Sequence, residues 1–276
     1  MSKFVTQITP LLLLTALIAL GIAYPFLSGD YDRLAVPIST MIQVFGIVGI
    51  GLVPVGVLWL LTPKYKFGFA ITTLIIGTFV ILIIALFATL SVGKSFGVLT
   101  IFIWILCILG LIPKLKSLKL SKVNKSSWLP VYLIYFPIFT LLLQLTIAKP
   151  LTQFSRNRAI KNAYRFISHI EEYHTKQGQY PVTLQAQNKD YFPDVVGVEK
   201  YLYAPDQNGY NLFFEQPRFL LDEFGTREWV VYNPLDENSV YSHTAWLLPT
   251  EQSGPSQGWY ASGETGYLHW KYFLFD

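Results

Sequence analysis

The residues of this chain with metal-binding or proton-transfer chemistry are four histidines, one cysteine and a short run of oxygen-bearing side chains near position 235. His169 and His174 stand five residues apart in a helical stretch, about 140° around the axis. They do not form the i, i+4 pair that a helical zinc site uses, and read as surface or packing residues. His243 and His269 fall in strand-like segments without acidic neighbours at ligand spacing. In Asn233-Pro-Leu-Asp236-Glu237-Asn238, the oxygens of Asn233, Asp236 and Asn238 could hold calcium. The run lacks the glycine and the terminal bidentate glutamate of a full calcium loop, so a solvated turn competes with that reading. Ser253-Gly-Pro-Ser-Gln-Gly-Trp259-Tyr260, with Trp246, Tyr267 and Trp270, could make a flat aromatic platform for a sugar or peptide chain. The same rings could equally build the core and hairpins of a small sheet. For hydrolysis there is no GxSxG elbow, no ordered Ser/His/Asp set and no close carboxylate pair, and Asp222-Glu223 reads as a solvated turn. The expectation is a non-catalytic protein without a cofactor, calcium being the one ion with candidate ligands.

The element that must position these residues is the stretch from Ala159 to Leu184. Ile160, Ala163, Tyr164, Ile167, Ile170 and His174 recur at the step that lines one helical face. Lys161, Arg165, Glu171, Glu172 and Lys176 mark the opposite face. Gly178 supplies a left-handed residue to end the helix, and Pro181 pushes Tyr180 into an extended conformation. Beyond Pro181 the pattern becomes short and aromatic with a period of two. Lys200 to Tyr203 and Gly209 to Phe214, joined across Asp206-Gln-Asn-Gly, predict a β-hairpin. Glu228 to Tyr232 and Ser239 to Ser242 predict further strands with Asn233-Pro234 as the turn, and Tyr267 to Phe275 a last one.

Before residue 150 the chain is of another kind. At 52% hydrophobic and 14% charged, the whole is too apolar for an ordinary soluble protein. Five runs, about 8–27, 41–62, 68–92, 96–113 and 128–148, are long enough to cross about 30 Å of hydrocarbon as helices. The first reads as a retained span rather than a signal peptide, because AYPFLSGD is a poor cleavage site. Pro137 and Pro150 make a bend near Pro150 the expectation, rather than one unbroken helix into the Ala159 stretch. The spans hold no Asp, Glu, Lys, Arg or His, which argues against a proton relay or a voltage sensor. Gln43 and Gln144 are their main polar residues and suit hydrogen bonds between helices. Gly46, Gly49, Gly51, Pro54 and Gly56 make the second span small-faced and kinkable, for close packing or a broken-helix substrate site.

Charge divides the chain in the same place. Residues 1–149 carry eleven Lys/Arg against two acids, residues 150–276 ten against fifteen, so the first part is +9 and the second −5. An acidic second part argues against nucleic acid as a partner. Lys64, Lys66, Lys114, Lys116, Lys119, Lys122 and Lys125 cluster in two links on one side, the side that the positive-inside rule makes cytoplasmic. That orientation puts the N-terminus inside and residues 150–276 outside. Arg156, Arg158, Lys161 and Arg165, close after the last span, pull against it.

The order helix, Glu172-Tyr173, Gly178-Gln-Tyr180-Pro181, Leu184, loop, Tyr201-Leu-Tyr203, then Asp206, Gly209, Tyr210 and Leu212 resembles the globular part of type II secretion pseudopilins and type IV pilin-like proteins. The resemblance covers about residues 155–216. It implies a long helix packed on a small antiparallel sheet, and in some major pseudopilins a calcium ion in a late loop. MSKFVTQITP lacks the family's prepilin peptidase site, and four extra spans precede the helix. A five-span subunit cannot easily leave the membrane to join a filament.

The expected architecture is therefore an all-α membrane bundle over residues 1–149 and a pilin-like α+β domain over residues 150–276. The expected role is a non-catalytic, multi-pass component of the bacterial inner membrane, its C-terminal domain periplasmic or extracytoplasmic. That domain would serve protein binding, sensing or assembly, with the lipid bilayer and other envelope proteins as partners and homo-oligomers open. A small transporter or channel with an outer regulatory domain is the alternative, and an envelope enzyme a weaker one.

Overall fold

A computed structural model describes residues 5–120, 128–182, 191–205, 209–222, 226–237 and 261–275. It contains six α-helices and five strands: α1 Val5–Ala23, α2 Ala35–Val48, α3 Val53–Leu61, α4 Lys66–Ser91, α5 Lys94–Leu120, α6 Leu129–Gln177, β1 Leu202–Pro205, β2 Tyr210–Gln216, β3 Arg227–Tyr232, β4 Ala261–Glu264 and β5 Trp270–Phe275. The chain forms two compact units, one of residues 1–22 and 37–146, the other of residues 23–36 and 147–276.

The first unit is helical. Among the described residues, five stretches are long and apolar enough to cross a membrane: Ile8–Phe26, Ala35–Leu61, Pro63–Ser91, Lys94–Lys119 and Leu129–Gln177. The second of these is interrupted by a 3-10 turn at Gly49–Leu52, just before Pro54 would break the α-helical ladder. Its glycines meet the first part of α6. A Cβ on Gly46 would stand 2.7 Å from Thr140 Cγ2, and one on Gly56 2.8 Å from the Pro130 carbonyl oxygen. Polar groups add to these contacts: Ser39 Oγ of α2 donates to Ile22 O of α1 (2.8 Å), Gln43 Nε2 to Ser39 Oγ within α2 (3.0 Å), and Gln144 Nε2 of α6 to Gln43 O (3.2 Å). Gln43 and Gln144 thus hydrogen-bond as expected, Gln144 between helices.

Helix α5 runs on past the apolar run 96–113 to Leu120, through Lys114, Lys116 and Lys119, which are good helix formers. One expectation is corrected: the helix is not broken at Pro137 or Pro150, since α6 is one element of 49 residues. A proline removes a single amide donor, and the turns on either side keep their own bonds.

The second unit is α+β. Its sheet has the order β1-β2-β3-β5-β4, every neighbouring pair antiparallel. The hairpin β1/β2 and strands β3 and β5 fall where alternation placed them. β4 was not foreseen, because Ala261-Ser-Gly-Glu264 has no apolar alternation to betray it. The strand expected at Ser239 to Ser242 lies outside the described residues.

On one face Ala159, Ile160, Ala163, Phe166, Ile167 and Ile170 of α6 pack with Leu212, Phe214, Val230 and Trp270. Tyr164, counted on that face, is 41% exposed; Phe166 lies nearer the stripe of Ile160, Ala163 and Ile170 and fills the place. A second cluster, Phe213, Trp229, Val231, Phe273 and Phe275, is buried on the other face. Helix α6 ends at Gln177, and Gly178 takes a left-handed φ of +74°. The following turn is clamped, with Tyr180 stacked on His174 at 4.0 Å and Tyr203 Oη donating to Pro181 O at 2.9 Å.

The link between α1 and α2 belongs to this second unit. Val196 N donates to Leu27 O (3.0 Å), Asp32 N to Val196 O (3.0 Å), Gly197 N to Pro25 O (2.8 Å) and Gly29 N to Asp194 O (3.4 Å). Phe26 is fully buried and stacks on Phe219 with ring centroids 4.6 Å apart.

Candidate functional site

Along α6, Arg158, Lys161, Asn162, Arg165 and His169 share one stripe, spread over less than a third of the circumference at about 100° per residue. The segment Tyr191 to Asp194 runs along it as a strap. Arg158 forms an ion pair with Asp194, and its Nε also donates to Asp194 O at 3.0 Å. One turn on, Asn162 Nδ2 donates to Pro193 O at 2.8 Å. At the far end His169 Nδ1 meets the Tyr191 hydroxyl, and the Tyr191 ring lies flat on Phe166 at 4.0 Å. Burial raises the pKa of that phenol, so Tyr191 is a neutral partner at ordinary pH.

Two cations of the stripe remain. Lys161 and Arg165 are exposed and make no ion pair among the described residues. They line an open cleft of about 480 Å³ together with Asn162, Tyr191, Phe192 and Asp194. Phe192 is 67% exposed beside them.

A second charged cluster is closed to solvent. The Glu228 side chain is 0% exposed and meets Arg156 Nη2 at 2.6 Å and Arg218 Nη1 at 3.1 Å. Arg156 also lies over the Tyr272 ring at 4.4 Å, and Arg218 reaches Asp222 at 2.9 Å. Burial pushes the Glu228 carboxyl up, against the pull of both guanidiniums. With every charge partnered, this cluster ties α6 to β3 and serves packing.

The residues singled out in the sequence are dispersed. Trp270 is fully buried, between Phe214 (6.0 Å) and Tyr232 (5.4 Å), so it is a core residue and not part of an open platform. Tyr267 is partly buried against the same core. Trp246, Trp259 and Tyr260 lie outside the described residues, as do Asn238 and His243. Asn233 Oδ1 accepts from Leu235 N (2.8 Å) and Glu237 N (3.3 Å), while its Nδ2 donates to Asn211 Oδ1 (2.9 Å). Asp236 meets His269 Nδ1 at 3.0 Å. The Asn233 carboxamide therefore shapes a turn, and the Asp236 carboxylate already faces a histidine. Among the described residues no group of three or more His, Cys, Asp or Glu is gathered for a metal.

Sequence reasoning recorded Lys161 and Arg165 as a charged face and as basic residues close after the last span, and passed over Tyr191, Phe192 and Asp194. The available signal was the excess of basic residues after the last span, too many for a face with no acidic partners in helical register.

No protein-family model, no curated protein and no solved structure matches this chain.

Proposed function

We propose that this chain is a multi-pass protein of the bacterial inner membrane, N-terminus cytoplasmic, which presents a pseudopilin-like α+β domain outside the cytoplasm for protein binding, sensing or assembly. The observation that carries the reading is the incorporation of residues 23–36 into the α+β unit. The domain is joined covalently to α1, α2 and α6, and Phe26 and four backbone hydrogen bonds bind the α1–α2 link into its fold. A load on the domain therefore acts on three helix ends at once. That suits a fixed docking or sensing module, and it is a poor design for a subunit that must leave the bilayer.

Orientation follows from the same link. If α1 and α2 cross a bilayer, their link and the domain lie on one side of it, and the lysine-bearing links at Lys64–Lys66 and after Lys114 lie on the other. The positive-inside rule then makes the lysine side cytoplasmic.

Two measurements test the reading. With Cys107 replaced by Ser, a membrane-impermeant maleimide added to intact spheroplasts should label Tyr31→Cys and Thr175→Cys, and should reach Lys64→Cys only after lysis. The reverse pattern overturns the orientation. In-cell cross-linking of the tagged protein should yield secretion, pilus or other envelope proteins. Recovery of copies of the chain alone moves the weight to a self-contained transporter or channel, the reading favoured by the break at Gly49–Leu52.

A further inference from the structure

Beyond that reading, the geometry points to a ligand site: we infer that the cleft between α6 and the Tyr191–Asp194 strap binds a small soluble organic anion, its phosphate or carboxylate held by Lys161 and Arg165 and its apolar or ring-bearing part against Phe192. The cleft lies wholly within the α+β unit, so the inference does not depend on orientation or on an assembly partner.

The argument starts from what the stripe leaves over. Arg158, Asn162 and His169 are each engaged in holding the strap. Lys161 and Arg165 stand four residues apart on one helix face, where like charges repel, and no acid of the described residues relieves them. An anionic oxygen group placed between them would do so, and a guanidinium fork is shaped for that task. Asp194 lies in the same lining but is already turned to Arg158, so Lys161 and Arg165 are the lining's charges without an ion pair among the described residues.

Size and wall agree. A volume of about 480 Å³ lies within the range of ordinary small-molecule sites, roughly 300–1,000 Å³. A phenylalanine ring left 67% exposed at its edge offers apolar contact that an inorganic ion would not use. Because the strap is anchored at three levels by α6, the cleft is formed in advance, and binding carries little ordering cost. The same chemistry could be offered by a lipid headgroup, a source that the vesicle arm of the test separates from a soluble one.

The test is isothermal titration of the detergent-solubilised full chain at low salt with phenyl phosphate, inorganic phosphate and vesicles containing phosphatidylglycerol. Phenyl phosphate should bind saturably at millimolar concentration or below. Binding should weaken about tenfold or more in Lys161→Gln and in Arg165→Gln, the size of one lost charge-assisted hydrogen bond. Lys176→Gln, elsewhere on the same helix and paired with Glu172, should leave it unchanged. Phe192→Ser should weaken phenyl phosphate while sparing inorganic phosphate. Both cations are exposed, so the melting midpoint of each variant without ligand should match the parent. Absence of saturation, equal binding by parent and both charge variants, or a response to phosphatidylglycerol vesicles alone would each overturn the inference.

Discussion

The two units use apolar residues in opposite ways. In the α+β unit the large rings are inside: Trp270, Tyr210, Phe166, Phe214, Phe219 and Phe275 are all buried. In the helical unit Leu82, Leu90, Phe102 and Leu109 are exposed, Leu90 by 75%, while Gly46, Gly49 and Gly56 lie at helix contacts. Water drives bulky apolar groups together, which is what the sheet and α6 achieve. In hydrocarbon that drive vanishes, and close approach over small residues with a few hydrogen bonds must hold helices instead. The difference supports placing the first unit in lipid and the second in water. It also shows that one hydropathy value conceals two kinds of packing.

Polar groups sharpen the contrast. The α+β unit buries a full charge, Glu228, and meets it with two guanidiniums. The helical unit buries neutral Ser39, Gln43, Thr140 and Gln144 and settles for backbone carbonyls, leaving Gln144 Oε1 and Thr140 Oγ1 without a protein partner. The largest expected effect is therefore Glu228→Gln, which leaves Arg156 without a carboxylate and Arg218 with Asp222 alone. It should cost the α+β unit about 3–5 kcal/mol, read as a drop in its denaturation midpoint.

Alkaline pH should come next. Burial raises the phenols of Tyr201 and Tyr210 above their ordinary value, with Asp194 adding to the first and Tyr232 and Glu171 to the second. The folded chain then holds protons that the unfolded chain releases near pH 10. Stability is complete below pH 10 and is lost as pH rises above it, by about 3 kcal/mol for the two phenols at pH 11. Melting curves between pH 8 and 11 check the sign, and tyrosinate absorbance should appear with unfolding rather than before it. Alkaline melting confined to the helical unit would break the comparison.

A bulky residue at a glycine contact tests the other unit. Gly46→Leu drives side-chain atoms into Thr140 and should cost about 1–3 kcal/mol in detergent, with the α+β unit unaffected. The smallest effect is expected for Gln144→Leu. It removes two long hydrogen bonds, both 3.2 Å, and also a buried oxygen that has no partner, so a loss of about 0.6 kcal/mol or less should follow. A loss as large as that of Glu228→Gln would show that the helical unit depends on polar contacts after all.

Local chemistry made much of the fold legible. Apolar runs marked the helices, alternation marked β1, β2, β3 and β5, and Gly178 before Tyr180-Pro181 marked the end of α6. Features set by long-range contact were not legible. Pro150 suggested a bend, yet the helix continues, because one missing amide is a small loss beside the packing of the turns that follow. Trp270 read equally well as platform or core until β3 and β5 paired and enclosed it. The cleft was less legible still. Arg158, Asn162 and His169 become a stripe on the helix, but the strap that they hold lies more than twenty residues further along the chain.

By itself, then, the sequence determined composition, periodicity and punctuation: which stretches are apolar enough for lipid, which are helix or strand, and where α6 stops. Those properties depend on neighbours within a few residues. The tertiary structure alone decided that residues 23–36 join a domain more than a hundred residues away, that Glu228 is matched by Arg156 and Arg218, and that Lys161 and Arg165 are left over beside a cleft. Pairing of that kind depends on which surfaces meet when the chain closes on itself, and no local pattern of residues encodes it.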